Sequence, residues 1–221
     1  IIAEPTAILD DHDVMRALVE ANQKAMGGNI IDLRGISMER LENRLDRLED
    51  THRSVIATAY DNLAGTNQVH RAILRLLDLD DFAALIADLN GEIANILQVE
   101  SLRLVFETAH ADGDPSLSRF GAGLTVADAG FVADYMNAGT SGQSPQVILR
   151  HLKGAGHSVF GAIDKTIQSE ACLKLDLGVG RLPSMLVMGG RDPQQFSSQQ
   201  GTDLLKFFAG VFERIIRRLL L

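Results

Sequence analysis

Three kinds of hydrophobic pattern follow one another along the chain. From Asp10 to about Met26, Val14, Leu18 and Ala21 or Ala25 recur at helical spacing until Gly27 and Gly28, which predicts a short helical arm. Next comes SMERLENRLDRLEDTHRSVIATAYDNLAGTNQVHRAILRLLDLD, a long helical pattern with almost no breaker except Gly65, which either bends or splits it; unbroken, it would run roughly 60 Å. With Leu41, Leu48, Val55, Asn62 and Val69 at d, the a positions are Leu45, His52, Ala59, Thr66 and Ile73, the 4-3 spacing of a coiled-coil seam. Arg44 then falls at g and Glu49 at the following e, where a parallel two-stranded coil places an interchain ion pair. Two readings stay open. The helix pairs with a second copy, or its Leu45, Leu48, Val55 and Leu63 cover the chain's own core.

The third pattern begins at Asp80, an N-cap for a helix whose buried face is Phe82, Leu85, Ile86, Leu89, Ile93 and Leu97. Strand patterns follow in SLRLVFET, VILRHL, SEACLKLDL and PSMLVMGG, with a polar loop and a helical stretch, VADAGFVADYMNAG, between the first two. A last helix from about Ser198 to Leu220 is apolar on a wide arc through Leu204, Leu205, Phe208, Val211, Phe212, Ile215 and Ile216, wide enough for two partners. In MGGRDPQQFS the glycines close a strand, Asp192-Pro193 sets a turn, and Ser197 with Gln200 spells a capping box, so turn chemistry accounts for the stretch better than a ligand loop. Helices at both ends with strands between them predict α+β: an antiparallel sheet flanked by helices and preceded by a long N-terminal helix. The expected divisions are an arm over 1–36, the long helix over 37–79 and a sheet domain over 80–221.

Composition narrows the function classes. A net charge of -8 in 221 residues opposes nucleic-acid binding, and no basic stripe interleaves with aromatics. No apolar run approaches the roughly 20 residues needed to cross a bilayer. A single cysteine, Cys172, excludes an internal disulfide and a multi-cysteine zinc site, and fits the reducing cytoplasm. The first residue is Ile, so any targeting segment is expected to precede the sequence read here.

The block SEACLKLDL, PSMLVMGGRDPQQFS and GTDLLKFFAGVFERII resembles the closing half of a GAF domain: a strand opening with Ser, a strand ending in small residues, a D-P-x-x-F turn and a final helix. The helix from Asp80 followed by SLRLVFET fits the upstream half. The N-terminal stretch IIDLRGISMERLENRLDRLEDTHRSVIATAYDNLAGTNQVHRAILRLL looks like the helical leader of the proteobacterial family called domain of unknown function 484, which places it before a GAF-like domain. The resemblance runs from about residue 5 to the end. It implies a small-molecule sensor or dimerisation module, with any ligand held between one sheet face and its covering helices and loops. The N-K-x-n-F-x-x-x-D-E series of cyclic-nucleotide binders is missing, and Cys172 sits in a strand instead of on a loop suited to bilin attachment. One cysteine is also too few for the thiol relay of a GAF-type methionine sulfoxide reductase.

No motif supplies catalysis. In GHSVFG, Gly161 stands one residue too far from Ser158 for a nucleophile elbow, and no G-K-[ST] occurs. The six histidines lack metal spacing, and the acidic clusters DDHD and HADGD lack EF-hand spacing. His52, at an a position, is either a register-setting residue of the seam or an ordinary surface histidine. Strand alternation puts Arg103, Arg150 and Lys174 on one sheet face, opposite in direction to Leu104, Leu149 and Leu173. Two readings follow. The cations hold an anionic ligand, with Phe131, Tyr135 and Phe160 as apolar walls, or Glu107, Glu170 and Asp176 neutralise them as cross-strand pairs; the second is favoured. The expectation is a cytoplasmic, non-catalytic, homodimeric sensor or scaffold without cofactor or metal, its interface formed by Leu41, Leu45, Leu48, His52 and Val55 with Phe208 and Phe212 of the last helix. Its signal would pass to a separate protein partner. The alternatives are a structural dimerisation module with a filled pocket, or a small hydrolase or redox enzyme.

Overall fold

The computed structural model describes residues 12–25, 33–108, 123–137, 145–152, 159–181 and 183–220. The chain divides into two compact units, Ile1–Asp61 and Asn62–Leu221.

The described residues of the first unit are helical. Helix α1 (His12–Ala25) is the expected arm, and α2 (Leu33–Leu77) begins after it. The helix α2 runs through Gly65 without a break, because one glycine costs a helix only about 1 kcal/mol. In this unit Leu41, Leu45, Leu48 and Val55 are each more than half exposed, and His52 is exposed as well. Arg53 pairs along the surface with Glu49 at 3.1 Å and Asp50 at 3.6 Å.

The second unit is built on a five-stranded sheet in the order β2-β1-β5-β4-β3, with β1 Ser101–Thr108, β2 Leu124–Asp128, β3 Val147–His151, β4 Ser169–Leu175 and β5 Ser184–Gly190. The expected all-antiparallel sheet is corrected here: β1 and β2 run parallel, Leu104 opposite Leu124, while the other three pairings are antiparallel. The connection over 109–123 is long enough for the crossover that parallel strands require. The strand β2 lies where a helix was expected to begin. Val126 and Asp128 belong to the strand, and helix α5 (Phe131–Asn137) starts only after Gly130, whose φ of 95° suits glycine. An edge strand with no fully buried residue leaves no apolar alternation to read.

One face of the sheet packs Leu102, Leu104, Leu173, Leu186 and Met188 against α2 residues Val69, Ala72 and Leu76 and against α6 (Asp203–Leu219). Val69 and Ile73 therefore leave the expected coiled-coil seam, because the chain's own core uses them. Phe208 and Phe212 leave the expected dimer interface for the same reason: both are fully buried inside this unit, so no partner reaches them. The helix α6 begins at Asp203 behind Thr202, so Ser197 and Gln200 cap no helix; they lie in the preceding turn, where the Gln200 amide donates to the Ser197 carbonyl.

The same core holds the segment after α2. Helix α3 (Phe82–Asp88) is capped by Asp81, one residue later than expected, whose carboxylate accepts from the Ala84 amide at 2.7 Å. A π-turn over Leu89–Ile93 bends the chain at Gly91 before α4 (Ala94–Leu97). Beside the bend, Asn90 Oδ1 accepts from the Leu102 amide at 2.8 Å and the Ser101 hydroxyl at 3.0 Å, which locks the start of β1. The RDPQQF turn is a structural clasp. Ser169 Oγ donates to the Asp192 carbonyl at 2.6 Å, Gln195 Nε2 donates to the Gln98 carbonyl at 2.8 Å, and Phe196 enters the core.

Candidate functional site

The second sheet face carries the candidate chemistry. Antiparallel register sets Arg150 directly opposite Glu170, with Gly189 and Ser101 next across the sheet; two residues along, Arg103 stands opposite Val187, and Val187 opposite Cys172. Over this face lie α5 and the segment from Val159 to Ile167, which bury Val132, Tyr135, Met136 and Phe160 against Val105, Cys172, Met185 and Val187.

Glu170 is fully buried and has two partners. Arg150 Nε donates to its Oε1 at 2.6 Å, and the Tyr135 hydroxyl donates to its Oε2 at 2.7 Å. Arg150 Nη1 also donates to the Tyr135 carbonyl at 2.9 Å, and its guanidinium sits 4.7 Å from the centre of the Tyr135 ring. Phe131 stacks on that ring from the other end of α5, centroids 5.5 Å apart. Three side chains from three elements are thus linked in one cluster. Burial, reinforced by the Glu170 carboxylate, pushes the Tyr135 hydroxyl far above the usual tyrosine range, so it stays a donor. The same two causes push the Cys172 thiol up, which makes it a poor nucleophile.

Arg103 is held differently. Its Nη2 donates to the Phe160 carbonyl at 3.1 Å, and among the described residues no carboxylate pairs with it. Burial holds its pKa below the ordinary arginine value. Among the described residues, Arg103 Nε and Arg150 Nη2 are both buried without an acceptor. The Phe160 ring occupies the space above Gly189: a Cβ there would fall 2.8 Å from Phe160 Cε1. This plug was not foreseen, since the glycine pair at the end of a strand reads as a turn signal.

Of the three cations expected on this face, Arg103 and Arg150 lie under the covering layer and Lys174 is exposed. The three expected neutralising carboxylates have three separate fates. Glu170 takes Arg150; Glu107 accepts the Val132 amide at 2.8 Å and so anchors α5; Asp176 pairs with Arg217 of α6 at 3.5 Å. Ser158 and His157 lie outside the described residues, as do Asp10, Asp11 and all of HADGD, while His151 is exposed at the end of β3. Among the described residues no group of three His, Cys, Asp or Glu side chains is placed to hold a metal.

The continuous pattern from arm to final helix can be compared with known families. A family model described as protein of unknown function, DUF484, matches residues 15–220. The chain belongs to the DUF484 family. The match covers both units, including the leader helix α2 and the Arg150–Glu170–Tyr135 cluster, so the DUF484 architecture comprises leader and sheet together. No curated protein matches the chain. Among the described residues of this DUF484 chain no helix is long and apolar enough to cross a membrane.

Proposed function

We propose that this chain is a non-catalytic, homodimeric sensor or scaffold protein, which pairs with a second copy along α2 and presents a GAF-like sheet unit. The observation that carries this reading is the distribution of exposed apolar side chains. Of the sixteen large hydrophobic residues exposed among the described residues, eleven lie on α2, including Leu41, Leu45, Leu48 and Val55 at the expected a and d positions. Scattered exposed leucines are ordinary, but a row of them at coiled-coil spacing is the mark of a helix with a partner. Light scattering of the full chain tests it: the parent gives twice the 24.0 kDa chain mass, and Leu45→Glu with Leu48→Glu gives the single-chain mass. A parent at single-chain mass, or a variant that still measures double, overturns the reading.

For the sensor role, the ligand favoured is small and anionic, held near Arg103, because that guanidinium is half-buried and has no counter-charge among the described residues. One observation favours the scaffold role instead: Phe160 already fills the space above Gly189. Native mass spectrometry of the protein from its own host separates the two. A reproducible added mass that Arg103→Met abolishes supports a sensor; a clean dimer supports a scaffold that signals through a protein partner.

A further inference from the structure

A guanidinium receives a carboxylate side-on along the edge formed by Nε and Nη2. On Arg75 that edge is filled: Asp88 takes Nε at 2.8 Å and Nη2 at 3.3 Å. Arg150 already has the Glu170 carboxylate at its Nε. Arg103 is different. Half-buried under the covering layer, it donates from Nη2 to the Phe160 carbonyl at 3.1 Å, and among the described residues its Nε has no acceptor. A single neutral oxygen thus holds one prong of a charged fork. The other prong is buried and unpaired, which is costly and calls for a physical reason.

The residue that supplies the carbonyl also supplies a ring. Phe160 is fully buried in the cluster that holds Ile167 and Val187, and its ring lies over Gly189. Only the missing side chain leaves room there, since a Cβ would come within 2.8 Å of the ring's Cε1 and 2.9 Å of its Cζ. A glycine inside a strand marks a place where another group approaches the backbone closely. The next residue, Gly161, is exposed, has a φ of 61° and has open space where a Cβ would stand, so the chain is free to rotate there.

We propose that Phe160 is a built-in stand-in for a ligand of the aryl-alkanoic acid class, whose carboxylate takes the Nε–Nη2 edge of Arg103 and whose ring takes the space above Gly189 as Phe160 swings out at Gly161. The inference rests on the sensor reading above and names the class of its ligand. Three features select that class. The fork calls for a carboxylate, which satisfies both prongs where the carbonyl satisfies one, through charge-assisted bonds about twice as strong as neutral ones. The space above Gly189 calls for a flat apolar group, because a ring already fits it among Ile167 and Val187. The spacing follows from Phe160 itself: its ring and carbonyl are joined through Cβ and Cα, so a ligand filling both places has its ring and carboxylate at that same separation.

Hydrocinnamate, a ring and a carboxylate joined by the same linkage, is the probe; its neutral amide lacks the charge, and acetate lacks the ring. Each is titrated into the full chain by ligand-observed NMR. The parent binds hydrocinnamate about tenfold more tightly than acetate, the factor that burying part of a ring contributes. Arg103→Met loses the preference for the acid over the amide. Phe160→Ala, with no ring of its own to displace, binds hydrocinnamate about tenfold more tightly than the parent. A Phe160→Ala protein that takes acid and amide equally has only a hole, which overturns the inference. Acetate bound through Arg103 as tightly as hydrocinnamate overturns it too and leaves the anionic-ligand reading standing. No binding of either acid, to the parent or to Phe160→Ala, removes both. A melting curve shows whether Phe160→Ala is folded; if it is not, the parent and Arg103→Met decide alone.

Discussion

Replacing Arg150 by methionine tests whether the Arg150–Glu170–Tyr135 cluster is one energetic unit. The substitution keeps most of the apolar stem, so what it removes is the 2.6 Å bond to Glu170, the 2.9 Å bond to the Tyr135 carbonyl and the cation over the ring. Glu170, fully buried, then loses its paired cation and keeps the Tyr135 hydroxyl as a donor. Breaking a buried pair from one side costs about 3–5 kcal/mol, mostly because the remaining charge is uncompensated. In a unit of this size that lowers Tm by roughly 10 °C, at roughly 2–4 °C per kcal/mol. Adding Glu170→Gln removes the stranded charge and keeps an acceptor for Tyr135, so the double variant is more stable than Arg150→Met alone, by about 2 kcal/mol. Urea unfolding followed by the near-ultraviolet signal measures both, since the chain has no tryptophan and its other tyrosine, Tyr60, is exposed. A single-variant loss below about 1 kcal/mol, or a double variant no better than the single, would refute the reasoning.

Three further outcomes follow from the same face. Gly189→Ala places a Cβ 2.8 Å and 2.9 Å from the buried Phe160 ring and 3.0 Å from Ile167 Cδ1; with core side chains on all sides it destabilises by about 1–3 kcal/mol in thermal unfolding, and a neutral result would mean that Phe160 is loosely seated. Because the folded Tyr135 hydroxyl titrates above its unfolded value of about 10, the stability it contributes is complete below pH 10 and declines above it. The stability difference between parent and Tyr135→Phe should therefore be constant up to pH 10 and shrink by about 1.4 kcal/mol per unit beyond, and a constant difference at pH 11 contradicts the buried placement. Cys172, buried and with its thiol pushed up, should ignore a thiol-reactive disulfide reagent until denaturant is added; rapid modification of the native protein would place it elsewhere.

Legibility followed the range of the interactions involved. The apolar faces of α2, α3 and α6 and four of the five strands were readable because each repeats at its own period. The Arg150–Glu170 pair was readable because a two-residue alternation sends both inward from neighbouring strands. The strand β2 was hidden by its half-exposed pattern at the sheet edge. The roles of Glu107 and Asp176 were hidden because their partners, the Val132 amide and Arg217, are 25 and 41 residues distant in the chain. The turn at Asp192 showed its own chemistry in D-P, yet nothing local revealed that it also fastens Ser169 and Gln98.

Periodicity and turn chemistry, which act within a few residues, thus determined the helices, most strands and the turn before α6. Tertiary structure alone decided which of two apolar faces each helix keeps inside. Phe208 and Phe212 went into the core, Leu74 and Leu77 stayed out, and Val69 was withdrawn from the coiled-coil seam. The physical reason is that hydrophobic burial is non-directional: a pattern of leucines records that a face must be covered, and only the packed neighbours determine by what.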